Sequence, residues 1–78
     1  MNKWNYRILA HREEGGIVLQ MHEVYYDEDN SPSQYTENPA VVIGDDISDI
    51  AWVLIEMRAA RMKPVLWAGE MFPQEYKP

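Results

Sequence analysis

The chain has 78 residues, 13 of them acidic and seven basic, for a formal net charge of −6, and it has no cysteine. That length holds one domain, residues 1–78, near the lower limit for folding without staples, and the absent cysteine excludes disulfides and thiolate metal centres. The acidic balance works against phosphate-backbone contacts, so no nucleic-acid partner is expected.

Residues 1–10 are polar and aromatic rather than a basic segment followed by an apolar one, so they do not read as a secretory leader. No run of about 18 apolar residues offers a membrane span. A cytoplasmic location and no membrane partner are the expectations. In chain order, residues 3–11 alternate as a strand, with Trp4, Tyr6, Ile8 and Ala10 on one face and Arg7, Leu9 and His11 on the other. Gly15 and Gly16 supply the positive φ that a tight turn needs. Residues 17–26 form a second, longer strand rich in β-branched and aromatic side chains. With Glu14 and Gly15 at the tip, Arg12 pairs with Ile17, Ile8 with Met21, Arg7 with His22 and Tyr6 with Glu23. The first face then gains Ile17, Leu19, Met21 and Tyr25, and this is the face a helix is expected to cover. The second face, with Arg7, Leu9, His11, Val18, Gln20, His22, Val24 and Tyr26, reads as half-wet. Residues 27–32 make another turn, and residues 33–38 make a short third strand. Pro32 and Pro39 bracket that strand and place it at a sheet edge.

The helix is expected over residues 47–62. Asp46 is its N-cap, and Asp49 reaches back as in a capping box. Acidic residues stand at its start, basic ones at its end, and Pro64 stops it. Wound at 100° per residue, Ile47, Ile50, Ala51, Leu54 and Met57 form the expected core stripe. Trp52, Ile55, Ala59 and Met62 form a second apolar strip, the candidate interface. It needs a cover, either the tail of residues 65–78 or another chain. Trp67, Met71 and Phe72 are too apolar for a free tail and are expected to fold back over it. The fold class is therefore α+β: a three-stranded antiparallel meander in the order β-β-β-α, with one helix across a face, a returning tail, and mostly local contacts.

The chemical motifs fail on spacing. His22-Glu23 lacks a second histidine four residues on and lies in a strand, which sends the two side chains to opposite faces. Glu23 is better read as an acceptor for a nearby Tyr or Trp donor. His11 and His22 alone make a poor zinc site. Residues 27–33 begin like a calcium loop, but Pro32 stands where glycine is needed and Asn38 where the bidentate glutamate is needed. No catalytic residue, metal or cofactor is assigned, and the chain does not read as an enzyme. A second candidate surface is the sheet face carrying Arg7, His22 and Tyr26, since Arg and Tyr are favoured at interfaces.

The pieces Trp4-Asn5-Tyr6-Arg7, His22-Glu23-Val24-Tyr25-Tyr26-Asp27, Tyr35-Thr36-Glu37-Asn38-Pro39 and Lys63-Pro64-Val65-Leu66 together resemble a group of small bacterial proteins of unknown function, over about residues 3–66. The resemblance implies a small α+β domain and no known activity. Relative to that pattern the helix is less charged at Trp52, Ile55 and Ala59. The layout also resembles, in architecture only, the sheet-plus-helix antitoxins of bacterial toxin–antitoxin pairs. The expected function is a non-enzymatic interaction module that self-associates or binds a protein. The alternative is an acidic inhibitor that masks a basic site on its partner.

Overall fold

A computed structural model describes residues 3–78. Strands β1 (Lys3–Glu13) and β2 (Gly16–Tyr26) form a long antiparallel hairpin. Gly15 and Gly16 turn at φ of 96° and 144°, values an L side chain adopts only with strain. The register follows from that turn: Arg12 lies opposite Ile17, Ile8 opposite Met21, Arg7 opposite His22 and Tyr6 opposite Glu23. Strand β3 (Pro32–Tyr35) adds to the outer edge of β2 through an irregular step near Tyr26. It is shorter than the expected strand over 33–38. The following residues still hold to β2 through Thr36 N–H on the Glu23 carbonyl and Ala40 N–H on the Met21 carbonyl.

The fold is α+β, but the sheet is not a three-stranded meander. Strand β4 (Leu66–Trp67) lies along the free edge of β1 and runs parallel to it, giving a mixed sheet in the order β3-β2-β1-β4. Two residues are too few to carry an alternating pattern, so only a tertiary partner reveals this strand. Backbone bonds from Trp67 N–H to the Gln74 carbonyl and from Tyr76 N–H to the Val65 carbonyl fold residues 74–76 back against β4.

Helix α1 (Ile47–Ala59) continues as a 3-10 turn over Ala60–Met62 and ends before Pro64. Its cap forms as the sequence implies. Asp46 Oδ1 accepts from the Asp49 N–H at 2.9 Å, and Asp49 Oδ2 accepts from the Asp45 N–H at 3.0 Å. Gly44 closes this cap, because a Cβ there would run into the Asp49 side chain.

The face that α1 turns to the sheet differs from the expected one. Val53 and Ala60 are buried against Tyr6, with Ile8, Met21, Ala40 and Met57 packed around them. The core stripe is thus Val53, Met57 and Ala60, while Ile47, Ala51 and Leu54 face outward. A helix apolar on nearly every side carries little preference for one orientation. The small side chains of Val53 and Ala60 let its axis approach the bulky Tyr6 ring, and that contact decides the rotation.

The tail takes a different course from the expected one as well. It leaves the outer strip of the helix uncovered and crosses the opposite face of the sheet. Leu66 packs with Leu9 and Val24, and Tyr26, Tyr35, Ala68 and Phe72 surround that second core. The Phe72 ring meets Tyr35 at 4.8 Å, and the Gly69 N–H donates to the Tyr35 hydroxyl at 2.7 Å. The middle of the face read as half-wet is consequently dry, with Leu9, His22 and Val24 fully buried, while Val18 near the turn stays exposed. Trp67 projects the other way and lies 4.4 Å from the Arg12 guanidinium and 5.0 Å from the Tyr76 ring.

Candidate functional site

The outer side of α1 is the most conspicuous surface. Ile47 is 86% exposed, Leu54 51%, Ile55 64% and Met62 84%. Three of the four candidate interface residues, Ile55, Ala59 and Met62, are exposed without tail cover. Trp52, also exposed, sets its ring at 73° to Trp4 with 6.4 Å between centroids. Trp4 in turn meets Tyr6 edge-on at 5.2 Å. The strip is therefore anchored at Trp52 to the end of β1 and open elsewhere. The link before the helix adds to it, since Val41, Val42 and Ile43 are all exposed. Sequence reasoning names the strip but misses Ile47 and Leu54, because both fall on the stripe expected to face the core. Their common helical spacing with Ile55 was the available signal.

The second candidate set separates. Arg7 and Tyr26 come together, with Arg7 Nη1 donating to the Tyr26 hydroxyl at 2.8 Å. That hydroxyl donates onward to Asn5 Oδ1 at 2.8 Å, and Arg7 Nη2 donates to the Pro64 carbonyl at 2.8 Å. His22 takes no part in this group and is not a surface residue. It lies among His11, Tyr35 and Thr36, where its Nδ1 meets the Thr36 carbonyl at 2.9 Å and its Nε2 meets His11 Nε2, also at 2.9 Å. A carbonyl only accepts, so His22 Nδ1 carries the proton and Nε2 offers a lone pair to the His11 N–H. Burial, opposed in part by the Thr36 bond and helped by His11, lowers the His22 pKa below its ordinary value. A neutral, enclosed imidazole with both nitrogens engaged is a structural element and has no free atom for a substrate.

Glu23 accepts from the Tyr25 hydroxyl at 2.7 Å, the kind of partner its strand position implied. That bond, followed by burial and the Glu23 charge, raises the Tyr25 pKa. In the turn after β2, Asp29 Oδ1 accepts from the Ser31 N–H at 3.1 Å and Asn30 adopts φ of 66°, so these polar residues close the turn on itself. Among the described residues, no three His, Asp or Glu side chains are grouped to hold a metal ion, and no helix is long and apolar enough to cross a membrane. No protein-family model, no curated protein and no solved structure matches the chain.

Proposed function

We propose that the chain is a non-enzymatic protein-interaction module that pairs with a second copy of itself through the outer side of α1. The observation carrying this reading is the exposure of Ile47, Leu54, Ile55 and Met62 on one side of a well-capped helix. Two whole-molecule quantities support it. The chain exposes 5897 Å², whereas a compact monomer of 9.2 kDa exposes about 4,900 Å². The excess of about 1,000 Å² is close to the roughly 800 Å² that each partner contributes to a standard interface. The radius of gyration is 13.0 Å against about 11.5 Å for a compact domain of this length. A helix face is self-complementary about a two-fold axis, so one apolar strip serves both partners.

Light scattering across a wide protein concentration range tests the proposal. Wild type should be a dimer whose melting temperature rises with concentration. Ile55→Glu should be a folded monomer with no such dependence, since Ile55 contributes nothing to the intrachain core. A wild type that stays monomeric throughout would refute self-association. If binding of an isolated partner instead weakened with salt and on neutralising Asp27, Glu28 and Asp29, the acidic-inhibitor reading would replace it.

A further inference from the structure

Arg7 is only 7% exposed, yet its charge meets no carboxylate: its two hydrogen-bond acceptors, the Tyr26 hydroxyl and the Pro64 carbonyl, are both neutral. A guanidinium stays protonated in any protein setting and carries five N–H donors. Two are used here, and the buried Nε–H has no partner among the described residues. Desolvating an ion is costly unless a counter-charge and hydrogen bonds replace the lost water. Arg7 has only part of that compensation.

Arg7 lines a cleft of ≈ 350 Å³ at the open end of the hairpin, and Lys3 and Lys63 stand on its walls. Three of the seven basic residues of a chain with net charge −6 thus converge on one place, and none of the 13 acidic residues lines it. Trp4 and Asn5 also line it, and Asn5 is held by Tyr26. The volume falls within the about 300–1,000 Å³ of sites that hold small molecules rather than bare ions.

We infer that this cleft is a binding site for an oxyanion, a phosphate or carboxylate group, received by the Arg7 guanidinium between Lys3 and Lys63. A planar fork of guanidinium donors suits both groups, and the two ammonium charges add attraction without fixing geometry. The anion comes either from a free small molecule or from a carboxylate of a second copy. The inference does not depend on the outer side of α1.

The test follows the Arg7 Nε–H, the Trp4 indole N–H and the Asn5 side-chain amide by NMR. Inorganic phosphate and acetate are titrated separately at constant ionic strength maintained with sodium chloride. A free ligand predicts saturable shifts confined to these groups, weakened about tenfold or more in the Lys3→Gln/Lys63→Gln double variant and lost in Arg7→Lys. The lysines are exposed, so the double variant stays folded even if Arg7→Lys does not. A second copy as the source predicts that the Arg7 Nε–H shifts with protein concentration alone, with no added anion, and that the double variant removes this shift. Overturning results are shifts that never saturate, shifts equal in sodium chloride, shifts unchanged in the double variant, or no shift in either arm.

Discussion

Arg7 and His22 sit opposite each other across the β1–β2 pair, both buried, and they meet the cost of burial by opposite means. Arg7 cannot lose its proton and borrows neutral acceptors, whereas His22 stays neutral. Because burial lowers the folded pKa of His22 below the ordinary value of about 6.5, the unfolded chain binds more protons than the folded one just below that pH. The contribution of His22 to stability is then complete above pH 6.5 and is lost as the pH falls through the folded pKa. Protonation would also set an N–H at His22 Nε2 against His11 Nε2, the one titratable side chain among the described residues that is hydrogen-bonded to it. Denaturant melts should find His22→Gln less stable by about 1–3 kcal/mol at pH 7.5, with the gap to wild type narrowing toward pH 5. A gap constant over that range would mean that the neutral imidazole is not what the fold requires. The pairing of Arg7 with His22 is legible in the sequence, since two glycines fix the hairpin register. Their burial is not, because the groups that enclose them, Pro64 at Arg7 and Tyr35 and Thr36 at His22, are not neighbours in the hairpin pattern.

At the scale of elements, local chemistry is read well and orientation is not. The cap at Asp46 and Asp49, the stop before Pro64 and the edge position of β3 each depend on a few neighbouring residues. The rotation of α1 depends on Tyr6, a distant residue against which Val53 and Ala60 are buried. The tail behaves as a strap across the sheet rather than as a lid on the helix. Phe72, held against Tyr35, is its outer anchor. Truncating a fully buried phenylalanine costs about 3–5 kcal/mol, so half-buried Phe72→Ala should cost about 2 kcal/mol in chemical denaturation. Hydrogen exchange should rise at the backbone amides around His22 and Val24 in that variant and stay unchanged in α1. Faster exchange in α1 would instead place Phe72 on the helix side.

For the whole molecule, two cores lie on the two faces of one small sheet, one under the helix and one under the tail. The sequence makes the first core foreseeable, because a long apolar helix has to lie on something. It hides the second, because a face carrying Arg7, His11, Gln20 and His22 reads as wet until its cover is known. The parallel edge formed by β4 has a kinetic consequence. Arg7 and Pro64, joined by a hydrogen bond beside that edge, are 57 positions apart, so closing it brings together segments that hairpin and helix formation leave far apart. The expectation of mostly local contacts therefore holds for the hairpin and does not extend to the β1–β4 edge. Folding should proceed through the hairpin, with β4 docking after the rate-limiting barrier. In stopped-flow measurements Leu66→Ala should speed unfolding while leaving the folding rate within about a factor of two, and Ile8→Ala in the hairpin should slow folding. A folding rate that drops as far for Leu66→Ala as for Ile8→Ala would place the edge in the nucleus. If Leu66→Ala speeds only unfolding, the native lifetime of this protein is set by how long a two-residue strand keeps hold of its neighbour.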